Sequence, residues 1–314
     1  MGITSSSDLR NKHNVAVIFV KPHAIRSIPF IKELLLDNGL TIVKELSKVG
    51  PEVEHYIDHH YKDLSESALK KTPESLEVTE KAKEKFKTSF GEEWDIVLEE
   101  KRVKNLVQFK DHFKDVDVGT EWEGCDRIRI APGAYVAQLP STKNNYVING
   151  FYLALRDTFV HANACLHFFI VQFEESHISW RDFRNRVIGS TNPANAHPGS
   201  IRNIFYSQWQ ELGLDRQPSY GENVVHASAG PIEAFRERLI WTRKKKENAF
   251  ALKRIKRDPL GRKLLEAGIS ERTILDCLED SPKAANGASF SAFDATENLN
   301  TSEGIQKLMS LFLA

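Results

Sequence analysis

Residues 14–20 read Asn-Val-Ala-Val-Ile-Phe-Val and run directly into Lys21-Pro22. A nearly unbroken run of β-branched and aromatic side chains of this length is how a strand covered on both faces reads, and proline cannot continue its hydrogen-bond ladder. Beyond the proline, Ile28, Ile31, Leu34 and Leu35 recur at helical spacing, Asn38-Gly39 supplies a stop, and Leu40-Thr41-Ile42-Val43 turns extended again. The chain therefore opens strand, helix, strand. The same grammar returns later. Asn149-Gly150 precedes the apolar helix pattern FYLALRDTF, residues 166–173 (LHFFIVQF) form a second strong strand, and Ser179 is placed to cap a helix over 179–186.

Between these two blocks the composition changes. Residues 73–116 are rich in Lys, Glu and Phe at helical spacing and hold no long apolar strand, which predicts a helical insertion. Residues 126–138 (DRIRIAPGAYVAQ) alternate about Pro132-Gly133 as short strands do. Past Trp241 the charge separates: residues 236–263 carry twelve Lys/Arg against three acids, and 264–314 carry three bases against eight acids, so the two stretches are expected to neutralise each other. Asn300-Thr301-Ser302-Glu303 resembles a capping box opening a last amphipathic helix.

Composition narrows the function classes. Among 314 residues, 43 Lys+Arg balance 43 Asp+Glu, so the chain as a whole exerts no pull on nucleic acid, and DNA or RNA is not the favoured partner. Apolar residues at 41% exclude wholesale disorder. Cys125, Cys165 and Cys277 are far apart with no CxxC pair, which argues against a disulfide framework and a structural zinc site. With no run of eighteen apolar residues and no secretory pattern, the expected setting is soluble and cytoplasmic. Met1-Gly2-Ile3-Thr4-Ser5-Ser6 satisfies the spacing of an N-myristoylation site, which would add weak membrane contact.

Three segments beside the apolar strands carry unusual polar content: Lys21-Pro22-His23-Ala24, residues 189–202 (GSTNPANAHPGSIR), and residues 223–228 (NVVHAS). The second offers backbone N–H groups, hydroxyls and a guanidinium within fourteen residues, a set suited to phosphate oxygens. Together, in this order, they resemble the nucleoside diphosphate kinase family, over residues 14–56 and 150–242. Asn223-Val224-Val225-His226-Ala227-Ser228 is similar to that family's Asn-x-x-His-Gly/Ala-Ser motif.

The resemblance implies an α+β fold with a ferredoxin-like βαββαβ core on an antiparallel sheet, in a kinase-like domain over 14–242. It leaves the middle and the tail unexplained; composition adds to the core a large helical insertion at about 62–148, a helical C-terminal extension over 243–314 and a flexible start at 1–13. By resemblance, His226 takes the γ-phosphate of a nucleoside triphosphate such as ATP and passes it to a diphosphate in ping-pong fashion, with Mg²⁺ held on the nucleotide phosphates and no protein metal ligand. Glu237, eleven residues after the histidine, would orient the ring, and Lys21 would contact the moving phosphate. Thr191 and Arg202, also eleven apart, match the phosphate-binding threonine and arginine; Asn223 would contact the sugar hydroxyl and Ser228 would bond near the histidine. Tyr56 matches the tyrosine beside the phosphates, with Tyr61 a nearby competitor. Family relatives assemble as hexamers or tetramers, so a homo-oligomer is implied.

There are departures. The position of the second phosphate-binding arginine holds Asn185, flanked by Arg184 and Arg186; Arg186 is the assignment carried forward, with Arg184 as its rival. His23 stands where the family commonly has Asp, and Ala229-Gly230 where it has Asp-Ser. The connection 203–222 is about twice the family's usual length. These departures motivate a second reading, a nucleotide-binding scaffold that is weakly active or inactive.

Overall fold

A computed structural model describes residues 12–313. The acylation signal at Gly2 and nearly all of the 1–13 start lie outside the described residues. The strands are β1 (His13–Val20), β2 (Thr41–Val49), β3 (Val103–Asn105), β4 (Arg127–Ala131), β5 (Ala134–Gln138), β6 (Tyr146–Ile148), β7 (Cys165–Glu174) and β8 (Val225–Ala227). The chain divides into two units. One is built from the chain up to Val53 and from Ala162 onward, the other from Glu54–His161, and the helix Gly50–His60 crosses the division.

In the first unit the sheet order is β2-β7-β1-β8 with every neighbour antiparallel. The inner strand β1 is paired on both edges, Phe19 standing opposite Phe168 on one side and His226 on the other. Its residues 16–20 are wholly buried, which is why the opening run is apolar without alternation. On one face Ile18, Val20, Phe169 and Val171 pack with Ile31 and Leu35 of the helix Ile28–Asp37 and with Phe183 and Phe205. On the other, Phe19 and Phe168 meet Trp241 at ring separations of 5.9 and 5.8 Å, under the helix Pro231–Trp241. The architecture is α+β with an antiparallel ferredoxin-like core.

The helix Pro231–Trp241 is buried nearly all round, which a surface helix never is. The C-terminal extension is the reason. Helices Leu252–Ile255, Pro259–Glu266, Glu271–Leu278 and Thr301–Phe312 direct Ile255, Leu260, Leu264, Ile274, Leu278 and Leu308 onto Ile232, Phe235 and Leu239. The fit is close enough that a Cβ on Gly230 would stand 2.6 Å from the Thr296 carbonyl oxygen. Asn14, at the start of β1, completes the join: its Oδ1 accepts from the Thr301 N–H at 2.8 Å and its Nδ2 donates to Asn300 Oδ1. The Asn300–Glu303 capping box is formed.

Charge pairing differs from the sequence expectation. Lys256–Glu271 links the basic and acidic stretches, but Arg254 and Lys253 turn to Glu247, and Arg238 makes a buried two-pronged pair with Asp258, all inside the basic stretch. Short-range geometry wins because solvent screens pairing between separated exposed charges.

The unit Glu54–His161 combines helices, among them Lys62–Leu69, Glu80–Phe90, Leu106–His112 and Tyr152–Val160, with a sheet in the order β3-β6-β5-β4. The 126–138 alternation is the β4–β5 pair; β3 and β6, three residues each, are too short to show a period. Phe86, Trp94, Val136 and Tyr146 form one apolar cluster and Leu106, Phe109, Trp122 and Tyr152 another. Among the described residues no helix is long and apolar enough to cross a membrane.

Phe235→Ala should remove a wholly buried ring between helix and extension and lower the unfolding free energy by about 3–5 kcal/mol; urea titration followed by circular dichroism checks this, and a loss below about 1 kcal/mol would mean that the extension does not hold the helix.

Candidate active site

The site grows from one abnormal turn. Val224 has φ +71°, and the Val225 N–H donates to the Asn223 carbonyl at 2.8 Å, closing a γ-turn over a β-branched residue. Such a conformation is strained by about 1–3 kcal/mol and persists only where its surroundings over-determine it. They do. The Val224 carbonyl accepts from Lys21 N–H at 2.9 Å, and its own N–H donates to His23 Nε2 at 3.2 Å. Each of the three Arg202 guanidinium nitrogens donates to a backbone carbonyl: Nε to Asn223 at 3.3 Å, Nη2 to Val225 at 2.7 Å, and Nη1 to Gly189 at 2.9 Å. Arg202 thus straps both ends of the turn. Gly189 is itself in the left-handed region at φ +97°, where a Cβ would meet Ser200 Oγ at 2.5 Å.

The turn delivers His226 into β8. Its ring lies against Phe19, centroids 4.4 Å apart and planes 16° from parallel, and its Nε2 is 2.6 Å from Glu237 Oε1. The other carboxylate oxygen accepts the Ser228 hydroxyl at 2.5 Å, and Ser228 Oγ accepts the Val17 N–H at 2.9 Å. Because a carboxylate only accepts, Nε2 carries the hydrogen and the lone pair sits on Nδ1. Glu237 is 2% exposed, on the side of its helix away from the Ile232-Phe235-Leu239 stripe, so one face grips the extension while the other aims a carboxylate at the ring. Arranged this way, the imidazole is fixed and polarised.

One turn earlier on that helix, Glu233 accepts the Ala229 N–H at 3.1 Å. Burial and then the Glu237 charge push its carboxyl up to about 8. His23 moves the opposite way: burial, with help from Lys21 and Arg216 and against Glu222, pushes its imidazole down to about 4. A neutral His23 is what the turn requires, since only an unprotonated Nε2 accepts from Val224.

The remaining sequence-assigned residues divide. Lys21 is nearly buried, with Nζ on the Gly221 carbonyl at 2.7 Å. Asn223 donates from Nδ2 to the Thr191 carbonyl at 2.9 Å, while its buried Oδ1 has no hydrogen-bond partner among the described residues. The Thr191 side chain is exposed. Arg186 is exposed too, its Nε 3.2 Å from Asp182 Oδ1, and Arg184 reaches Glu297 and Asn298 at 2.5 and 2.9 Å. Both lie in the π-helical stretch Phe183–Ile188, a geometry that absorbs an extra residue in a helix. Tyr56 is buried within the unit Glu54–His161. The strain at Val224, the acceptor role of His23 and the Glu233 carboxyl are not legible in the sequence, where His23 stands out only as part of the polar segment Lys21-Pro22-His23-Ala24 and as a departure from a family pattern.

No family model matches the chain. Over 56 residues, 18% of this chain and 30% of the relative, it is 43% identical to the nucleoside diphosphate kinase of Synechococcus sp. (strain JA-3-3Ab). Over 52 residues, 17% of this chain and 28% of the relative, it is 48% identical to that of Methanoculleus marisnigri. The chain thus spans less than a third of these relatives' length. Among solved structures, nucleoside diphosphate kinase from Encephalitozoon cuniculi superposes with a TM-score of 0.37 and 15% identity, covering 75% of this chain and 92% of that one. The enzyme from Pyrobaculum aerophilum gives 0.37 and 15%, covering 74% and 98%. Over those short stretches the chain is similar to nucleoside diphosphate kinases, in keeping with the motif resemblance.

Between pH 6.5 and about 4 the unfolded chain protonates His23 and the folded chain does not, so the stability held above pH 6.5 is lost as pH falls. Glu233 acts oppositely: its contribution is complete below pH 4.5 and is lost as pH rises towards about 8. His23→Gln should therefore flatten the acid-side decline relative to wild type in thermal melts across pH 4–7, and an unchanged slope would remove His23 from the turn.

Proposed function

We propose that this chain is a phosphotransferase that carries the γ-phosphate of a nucleoside triphosphate to a nucleoside diphosphate on His226. The observation that carries the reading is the His226–Glu237–Ser228 chain of hydrogen bonds, which fixes the hydrogen on Nε2 and presents the Nδ1 lone pair from a rigid, strained turn.

In the first half-reaction Nδ1 attacks the γ-phosphorus. The new N–P bond forms as the bond to the β,γ-bridging oxygen breaks, and the leaving diphosphate keeps that electron pair. Positive charge developing on the ring is met at Nε2–H by Glu237, with no proton lost. In the second half-reaction a terminal oxygen of the acceptor diphosphate attacks the same phosphorus, the N–P bond breaks, and the ring recovers its lone pair. Phe19 and Glu237 keep the ring from turning, so the reacting atom stays on line. Lys21 would neutralise the transferring oxygens, and the Asn223 Oδ1 would accept a sugar hydroxyl. The carboxylates here are already engaged: Glu237 by His226 and Ser228, Glu222 by Arg216, Glu233 by Ala229. That set fits Mg²⁺ carried on the phosphates rather than on protein oxygens, where it supplies charge neutralisation.

One observation favours the rival reading of a nucleotide-binding scaffold: Arg202 and Arg184 are drawn to backbone carbonyls and to the extension. A single assay separates the two. With γ-labelled ATP and Mg²⁺, wild type should acquire acid-labile label and convert GDP to GTP, His226→Ala should do neither, and Glu237→Gln should lower the exchange rate by about 10²-fold or more. ADP binding without label would leave the scaffold.

A further inference from the structure

The connection between Arg202 and Asn223 is where this chain departs most from the pattern in its site-bearing unit, and it ends against Lys21. The segment is anchored. Trp209 and Leu212 pack on the sheet cluster that buries Leu214, and Gln217 Nε2 donates to the Tyr206 carbonyl at 3.1 Å. Residues 219–222 close on themselves, the Ser219 N–H donating to the Glu222 carbonyl and the Glu222 N–H to Ser219 Oγ, both at 3.2 Å. Gly221 then takes the Lys21 ammonium and Asn223 begins the strained turn. Between these anchors stands Arg216, its Nε 2.5 Å from Glu222 Oε2, its side chain 75% exposed.

We propose that Arg216 is the second phosphate-binding cation of the His226 site, supplied by the 208–222 connection and held in readiness by Glu222. The inference rests on the reading of His226 as the phosphate carrier. Four other cations are placed differently: Arg202 straps the turn, Arg184 faces the extension, Arg186 pairs with Asp182 on the surface, and Lys21 is tied to Gly221. Arg216 alone among these five joins an exposed guanidinium to a carboxylate at the edge of the turn.

The exchange of partners is inexpensive in free energy. The guanidinium half of the pair is exposed, so a single fork to one carboxylate oxygen is held there only loosely, whereas a phosphate tail offers the same fork two charged oxygens in bidentate geometry. Glu222 is not stranded when Arg216 leaves. Burial would raise its carboxyl, but the Arg216 hydrogen bond and the charges of Arg216 and Lys21 hold it below the usual range. Lys21 remains beside it after the guanidinium swings away. Glu222 is therefore a competitor that keeps Arg216 close and solvated until phosphate arrives, and the two residues should have opposite effects on nucleotide affinity.

That opposition is the test. By titration calorimetry with MgADP on the full chain, Arg216→Gln should weaken binding by about tenfold, Arg216→Lys should recover part of it, and Glu222→Gln should tighten binding by about threefold. Arg262→Gln, which removes an exposed charge in the extension, should leave affinity unchanged. Circular dichroism melts establish that each variant folds. If the pair is only a structural clasp, Arg216→Gln and Glu222→Gln will shift affinity in the same direction, and the proposal is overturned; absence of ADP binding by folded wild type overturns it equally. Absence of label on His226 combined with the opposed affinity shifts would instead refute the transfer reading alone.

Discussion

A single buried carboxylate ties together the unit that carries His226. Glu237 is taken out of water between a sheet and a layer of helices, and an ionised group in that position is tolerated only when its oxygens are supplied with donors. One oxygen receives His226 and the other Ser228, whose hydroxyl oxygen in turn accepts from Val17 on the central strand. Edge strand, central strand and helix are therefore joined through one side chain. The C-terminal extension matters to this bond without touching it: by covering Ile232, Phe235 and Leu239 it dries the helix, and the lower local dielectric strengthens the hydrogen bonds on the opposite face.

The second constraint is strain. A valine at positive φ is unfavourable wherever it occurs, so the Val224 turn exists because its neighbours hold it there. Two of the holding groups are residues that resemble phosphate ligands, Lys21 through its backbone and Arg202 through three carbonyl contacts, and His23 adds its ring. Residue type alone cannot separate a guanidinium aimed at a phosphate from one aimed at a peptide carbonyl, since both are oxygen acceptors. Only the path of the backbone decides, and here it turns Arg202 inward.

This explains which features were legible in the sequence. β1 and β7 were readable because burial on both faces writes an unbroken apolar run, and the helix Pro231–Trp241 because proline opens it and its apolar stripe has helical period. The His226–Glu237 pairing followed from a motif resemblance, and the two atoms do meet at 2.6 Å. The short strands β3 and β6 left no periodic trace, and the π-helical stretch around Asn185 shifts register without changing composition. Charge balance misled for a related reason: whole-segment totals carry no distance, so Arg254 chose Glu247 inside its own stretch over the acidic residues that follow.

Glu233 gives the arrangement its electrical logic. It lies four residues before Glu237, and two carboxylates at that spacing on a dry helix cannot both hold full charge, so the more weakly supported one retains a proton until the pH approaches 8. Glu237 receives two donors, His226 and Ser228, where Glu233 receives the Ala229 N–H, and Glu233 is the one that gives way. Near neutral pH one negative charge therefore stands behind the Nε2 hydrogen rather than two. A single charge orients the ring and, on the proposed reading of His226 as a phosphate carrier, would meet the positive charge developing on it while adding little repulsion to a polyanion on the Nδ1 side. On the same reading a second charge would act at longer range, against the phosphates, with no further hydrogen bond to the ring in return. The proton kept on Glu233 would then serve the same end as the cations beside the turn, letting a buried carboxylate and a phosphate tail share one imidazole.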